Sequence, residues 1–188
     1  MAVAVRPAMR RALLLSGGTA VAALLGLGSS VPSAAQDRVP AEDARPVDPG
    51  RFLGFAHSSA VLQERASRLA ASKDTRPEVR EFAREMVWFR GQQAERLRAV
   101  AQERSVGLPT EEEFEHRVVL ENLEPLDYLA LSRRYAEVQV QALEQEIRGY
   151  EAASRGADEA TKQLSAEMLP QLRRRLEAAQ RMHDAVKP

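Results

Sequence analysis

Residues 77–100 read PEVREFAREMVWFRGQQAERLRAV. Apolar side chains recur in this stretch at intervals of three and four residues, which is the period of an α-helix with one buried face. The predicted inward stripe consists of Val79, Phe82, Met86, Phe89, Gln93, Leu97 and Val100. Pro77 suits the first position of a helix, and Gly107 with Pro109 is typical of the segment that follows a helix end. We therefore predict a long amphipathic helix here, packed through one face against a core.

Three other stretches have the same period, so the sequence predicts four long helices. Helix one is expected to begin near Asp48-Pro49 and to end near Ser72-Lys73. Its predicted face contains Phe52, Phe55, Ala56, Ser59, Leu62, Ala66 and Leu69. Helix three is expected over about 127–154. Its predicted face contains Leu131, Tyr135, Val138, Ala142, Leu143, Gln145, Ile147 and Tyr150.

Helix four follows a breaker at Gly156 and a favourable N-cap residue at Asp158. Its predicted face contains Leu164, Met168, Leu172, Leu176, Ala179 and Met182. Pro170 lies inside this helix, removes one backbone hydrogen bond and predicts a kink. Short loops join helices one to two and three to four, so each pair is predicted to be antiparallel.

Two capping boxes are predicted from Ser/Thr-x-x-Glu spacing. Thr75 with Glu78 marks the start of helix two, and Thr110 with Glu113 marks the start of a shorter helix. That short helix has a narrow apolar edge and bridges helices two and three before Pro125. Its edge consists of Val119, Leu120 and Leu123. The predicted fold is all-α: an antiparallel four-helix bundle with a short bridging helix.

The composition limits the possible functions. Basic and acidic residues both number 27, which argues against a nucleic-acid-binding protein. The chain contains no cysteine, so disulfides, thiol nucleophiles and zinc fingers are excluded. We expect the core to be filled with Leu, Phe, Met, Val and Ala, without a cluster of ionisable side chains.

The first 35 residues have the three-part layout of a secretory signal peptide. Arg6, Arg10 and Arg11 precede an uncharged run, and small residues at 33–35 offer a cleavage site. An uncleaved membrane anchor is the alternative, because the uncharged run of 25 residues (12–36) is long enough to span a bilayer. We expect 1–35 to be a signal peptide, 36–48 a flexible leader and 49–186 the bundle domain. Export by the general or the twin-arginine route is left open.

Several strings in the predicted helices resemble a family of exported bacterial proteins. They are Phe52-Leu53, the Pro-Glu-Val-Arg-Glu-Phe-Ala-Arg-Glu-Met-Val run at 77–87, Tyr135 with Gln139-Val140, and Leu-Pro-Gln-Leu at 169–172. The family is domain of unknown function 4142, often labelled predicted outer membrane protein. The resemblance covers roughly 48–183 and implies a ferritin-like four-helix fold and an envelope location. It implies no demonstrated activity.

The chain departs from that family pattern at three places. Members commonly carry Asp-His after the Met-Val of helix two, where this chain has Trp88-Phe89-Arg90. They often carry His-Glu in helix three and a histidine after Leu-Pro-x-Leu. This chain has Leu143-Glu144 and Arg175 at those places. If members bind metal through those histidines, the resemblance implies that this chain does not.

Few residues suggest chemistry. The one Glu-x-x-His pair is Glu113 with His116, and a di-iron bundle needs two such pairs with further inward carboxylates. His57 and His183 are placed to meet at one end of the bundle, although two unrelated histidines are the simpler interpretation. No serine lies in a nucleophile motif.

Two surface features remain open to a binding interpretation. Trp88-Phe89 offers either a ligand platform or one core ring with one ring at the rim. A basic patch on helix four either contacts an anionic surface or pairs with neighbouring glutamates. It consists of Arg173, Arg174, Arg175 and Arg181.

We therefore expect no catalytic residues, no metal ligands and no cofactor. The predicted function is that of an exported, non-enzymatic bundle of the bacterial envelope with a binding or envelope-homeostasis role. The expected partner is an envelope protein or surface, not a nucleic acid, and membrane association stays open. The alternative is a ferritin-like metal-binding or redox protein, which rests on the fold alone.

Overall fold

The computed structural model describes residues 47–73, 75–109 and 114–188. This part of the chain forms five helices and confirms the predicted all-α bundle. They are α1 (Pro49–Ser72), α2 (Pro77–Glu103), α3 (Phe114–Leu123), α4 (Tyr128–Ser154) and α5 (Glu159–Val186). The most extensive contacts join α1 to α2 and α4 to α5, as the short connections require. The two pairs meet where α1 packs on α4 and α2 packs on α5, and α3 lies mainly against α1.

Two helix starts agree with the sequence prediction in atomic detail. The Asp48 carboxylate accepts a hydrogen bond from the backbone N–H of Arg51 at 2.7 Å, and Pro49 is the first residue of α1. The Asp158 carboxylate accepts from the N–H of Thr161 at 2.9 Å. Each cap satisfies a backbone donor that the first turn of a helix leaves unpaired.

The predicted capping box of α2 is wrong. Arg76 occupies the N-cap position without a side-chain cap bond, and the Thr75 hydroxyl donates to the Ala70 carbonyl at 2.9 Å. Glu78 contacts Arg76 instead of Thr75. The buried Thr75 therefore secures the end of α1 and not the start of α2. The second predicted box, Thr110 with Glu113, lies outside the described residues.

The end of α2 is set by Ser105 and not by Gly107. Ser105 has a φ of 53°, the left-handed conformation that commonly stops a helix. The N–H of Val106 then bonds back to the carbonyl of Ala101 at 2.8 Å, closing a Schellman-type turn. A serine in this place gives no sequence signal as clear as a glycine would.

The predicted apolar stripes form the core with few exceptions. All seven stripe residues of α2 are buried, as are Leu120 and Leu123 of α3. Gln145 was assigned to the inward face of α4 but is exposed, and its neighbour Glu146 is buried instead. The helix α5 continues through Pro170, while the kink expected there stays a prediction. None of the helices in the described ranges has the length and hydrophobicity that a membrane span requires.

Candidate functional site

Polar side chains from three helices meet inside the bundle. We call Gln63 of α1, Arg90 and Gln93 of α2, and Glu146 and Tyr150 of α4 the core polar cluster. Arg90, Gln63, Glu146 and Tyr150 have no solvent-exposed area, and Gln93 is 1% exposed. Arg90 is the largest fully buried side chain among the described residues. Such burial of an arginine demands a partner for its charge.

The Arg90 guanidinium lies at the centre of the core polar cluster. One of its terminal nitrogens donates to Glu146 at 2.7 Å and to Gln93 at 2.5 Å. The other donates to the Gln63 side-chain carbonyl at 2.7 Å. One side chain of α2 is thereby bonded to α1 and to α4, which couples the two helix pairs through their interior.

The Glu146 carboxylate is held from two sides. Its second oxygen accepts from the Gln93 amide, which also donates to the Tyr150 hydroxyl at 3.2 Å. The Gln63 amide donates in turn to Ser59 on its own helix at 3.3 Å. The buried Glu146 carboxylate is therefore paired with a guanidinium and further bonded by an amide, as a buried ion pair requires.

This cluster contradicts the expectation of a purely apolar core. Arginine and glutamate were expected at the surface, since these side chains are seldom buried. Yet Arg90 follows Met86 by four residues and precedes Gln93 by three, so it lies on the inward face of α2. Glu146 follows Leu143 by three and is likewise in phase with the stripe of its helix. Arg90 and Glu146 thus each lie in phase with the apolar stripe of their own helix. This pattern was the sequence signal that could have identified the cluster.

The geometry of the core polar cluster is that of a structural network. Burial, followed by the neighbouring Glu146 charge, raises the pKa of Tyr150 well above its ordinary value, so this phenol stays protonated. Apart from the Arg90 Nε, the donors and acceptors of the cluster point at one another, and none of the five side chains is more than 1% exposed to solvent. Such an arrangement can fix helices but cannot exchange protons with a bound molecule.

Some buried polar atoms have no hydrogen-bond partner among the described residues. They include the Arg90 Nε and both polar atoms of the Gln139 side chain. Gln139 lies on α4 and is fully buried. One turn away, the Tyr135 hydroxyl is bonded to Ser67 of α1 at 2.8 Å, so that neighbouring polar pair is satisfied. An unpaired buried amide is a cost to stability.

Phe89 and Arg175 are in direct contact. The Arg175 guanidinium carbon lies 3.6 Å from the centre of the Phe89 ring, and that of Arg90 lies 5.3 Å from it. Burial and then the nearby Arg90 charge lower the pKa of Arg175. The family resemblance implies histidines at these two positions in other members, and the fold brings the two positions into contact. Here they form a cation–π contact.

The three histidines do not converge. His116 of α3 is bonded to the Ser58 hydroxyl of α1 at 2.6 Å. His57 is half-buried, its Nε2 has no hydrogen-bond partner in the described structure, and burial lowers its pKa. His183 is half-buried near the C-terminal end of α5. Across the described ranges, no group of three or more His, Cys, Asp or Glu residues is arranged to hold a metal ion.

The Ser58–His116 contact has only part of a catalytic arrangement. Ser58 is 4% exposed and lies in the interior of α1, where backbone N–H groups are used by the helix itself. An oxyanion site needs free donors beside the nucleophile. The contact therefore fastens α3 to α1, and Glu113, the other half of the predicted pair, lies outside the described residues.

The aromatic pair and the basic patch divide between core and surface. Phe89 is 2% exposed while Trp88 is 67% exposed, which confirms the prediction of one core ring and one ring outside. Arg173 pairs with Glu151 at 2.9 Å, whereas Arg174 and Arg181 are exposed. Arg173 and Arg175 thus contact other side chains of the bundle, and binding of an anionic surface by Arg174 and Arg181 stays a prediction.

Comparison with known proteins agrees with the resemblance seen in the sequence. The model of one protein family, described as Domain of unknown function (DUF4142), matches residues 32–182. No curated protein and no solved structure matches the chain significantly. The family model covers most of the chain, including α1 to α4 and most of α5, and the chain therefore belongs to the DUF4142 family.

Proposed function

We propose that this chain is an exported, non-enzymatic helical-bundle protein of the bacterial envelope that acts by binding a partner at its surface. The observation that carries the proposal is the position of Arg90. The most polar part of the interior is closed from solvent, and its single buried carboxylate, Glu146, is already engaged by Arg90. A ligand in solvent cannot reach the polar groups of the core, so we infer that the outer surface of the bundle carries the function.

The position of Arg90 also weighs against the metal-binding alternative. A ferritin-like centre requires several inward carboxylates with histidine. In this bundle a guanidinium carries the positive charge beside Glu146, at 2.7 Å. A divalent ion entering the same space would meet a like charge that the protein cannot remove, because arginine stays protonated.

Export is supported by the charge and hydropathy pattern of residues 1–35. The test is the intact mass of the protein recovered from the envelope fraction of a producing bacterium. We expect loss of the first 35 residues. A protein that retains its full mass in the envelope fraction would instead be anchored, and a protein found only in the cytoplasm would contradict the proposal.

The binding role is tested by crosslinking in cells, followed by identification of the captured partner. We expect one or more envelope components to be captured reproducibly. Metal analysis of the purified protein provides the contrary test. Iron, manganese, copper or zinc bound in stoichiometric amount and lost on mutation of Glu146 would favour the alternative and contradict the proposal.

A further inference from the structure

An open groove runs along the surface between α1 and α2, with the C-terminal end of α3 at its edge. Its volume is about 690 Å³, within the range typical of sites for small ligands. The floor is apolar and includes Leu69 of α1, Val87 of α2 and Leu120 of α3. Leu120 is 4% exposed, while Leu69 and Val87 are half-buried. Leu69 and Val87 thus leave part of the apolar floor open to solvent, while Leu120 is almost fully covered.

Three arginines border this floor. Arg65 and Arg68 come from α1 and Arg84 comes from α2, and all three are exposed. Arg68 shares its charge with Glu64, to which it is bonded at 2.5 Å. Arg84 makes no ion pair or hydrogen bond with any described residue. Among the described residues that line the groove, one is acidic, Glu124, and three are basic, so this part of the lining carries an excess of positive charge.

Trp88 extends the apolar surface beyond the groove. It follows Val87 directly and lies one helical turn from Arg84, so the three side chains share one side of α2. Two-thirds of its surface is exposed, the largest exposure of any bulky apolar side chain in the described structure. Tryptophan is enriched where an apolar contact must end at a wet, polar boundary. The rim of the groove is such a boundary.

We propose that this groove binds one molecule of a free, single-chain lipid with an anionic headgroup. This inference rests on the proposed binding function and gives that function a ligand class. The acyl chain lies on the floor formed by Leu69, Val87 and Leu120. Guanidinium groups bind carboxylate and phosphate oxygens well. Arg84 and Arg68 therefore hold the headgroup at the rim.

The floor of the groove favours a single lipid molecule over a bilayer surface. A protein that binds a bilayer inserts apolar side chains that project outward. Leu120 is buried instead, and Leu69 and Val87 are half-buried. The mixture of an apolar floor and a cationic rim equally disfavours a nucleic acid, which would need stacking side chains and a basic stripe.

The direct test uses the purified protein and dodecyl phosphate below its micelle concentration. Trp88 is the only tryptophan of the chain, so its fluorescence reports binding at the rim without a label. We expect saturable binding of one molecule per chain, with a blue shift as Trp88 is covered. Dodecyl maltoside has the same alkyl chain without the charge, and inorganic phosphate has a related anionic group without the chain. Both are expected to bind about tenfold more weakly or not at all.

Substitutions test the roles of the arginine rim and of the apolar floor separately. Arg84→Gln is expected to weaken dodecyl phosphate binding about threefold, and Arg84→Gln with Arg68→Gln about tenfold. Val87→Gln is expected to weaken binding of the alkyl chain while leaving the charge intact. The matched controls are Arg174→Gln and Val140→Gln, which remove an exposed arginine and a half-buried valine outside the groove. Thermal unfolding of each variant establishes that the bundle is intact.

Three results would overturn the inference. They are equal affinity for dodecyl maltoside and dodecyl phosphate, equal effects of the groove and control variants, or binding to anionic vesicles without binding of the monomeric amphiphile. An envelope protein captured by crosslinking, with no amphiphile binding, would leave the proposed function standing and remove only this ligand. Stoichiometric metal would remove the proposed function whatever the groove binds.

Discussion

Replacing Arg90 by methionine tests how much stability is lost when the buried Glu146 is left without its cationic partner. The change keeps most of the apolar volume but removes the donors to Glu146, Gln93 and Gln63. Glu146 would remain fully buried with one amide donor from Gln93 and no cation beside it. Breaking a buried ion pair from one side typically costs about 3–5 kcal/mol. We therefore expect Arg90→Met to lower the free energy of unfolding by about 4 kcal/mol.

The double variant separates the cost of an unpaired charge from the value of the pair. Glu146→Leu alone leaves the Arg90 charge buried and should cost about as much as Arg90→Met. Together the two changes leave no unpaired charge, although Gln63 and Gln93 lose partners at about 1–3 kcal/mol each. The double variant is thus expected to be several kcal/mol more stable than the sum of the single losses predicts.

The assay is urea unfolding followed by circular dichroism at neutral pH, with slopes compared between variants. Arg96→Met is the matched control, because Arg96 is on the same helix but pairs with Glu167 at the surface, at 3.0 Å. That pair should be worth less than about 1 kcal/mol. If Arg90→Met costs no more than Arg96→Met, or if the two core substitutions are additive, the reasoning about the cluster is refuted.

Three further predictions concern single residues. Gly91→Ala should raise the free energy of unfolding by about 0.5–1 kcal/mol, because Gly91 is inside α2 and an added Cβ meets nothing within 4 Å; a loss of stability in urea unfolding would contradict this. Gln139→Leu should stabilise the bundle by about 1 kcal/mol, because it removes a buried amide without partners; destabilisation would mean that the amide is satisfied in solution. Burial lowers the pKa of His57 from its ordinary 6.5, so the folded state favours the neutral imidazole. The contribution of His57 to the free energy of unfolding is therefore complete above that pH and is lost as the pH falls and the imidazole is protonated. His57→Gln should therefore flatten the decline in melting temperature between about pH 7.5 and 5.5 relative to the unmodified chain.

The helices were predictable because their signals are local. Apolar spacing identified the buried face of α2, and Asp48 and Asp158 marked helix starts through bonds that span three residues. The predictions at Thr75 and Ser105 failed because a capping pattern is also a local signal. Each of these helix ends was determined by features that the local pattern does not include. Thr75 bonds to the preceding helix, and a serine adopted the conformation expected of glycine.

The core polar cluster was not predicted because it depends on partners distant in the chain. Arg90 is acceptable in the interior only if Glu146, 56 residues away, lies opposite it. Taken alone, each of these residues belongs on a solvated face. The surface groove could not be predicted either, because it is bordered by three helices whose relative positions follow from packing. Its arginines are ordinary members of the polar faces of α1 and α2.

Arg90 also restricts how the helices can be aligned. An interior made only of leucine, valine and alanine accepts several longitudinal offsets, since one apolar side chain substitutes for another. Sliding α2 along α4 by a single turn, about 5.4 Å, would separate Arg90 from Glu146. Both charges would then be buried among apolar side chains without a partner. The ion pair thus penalises every misaligned assembly much more than it favours the correct one, and the bundle gains a unique arrangement from a contact that adds little net stability.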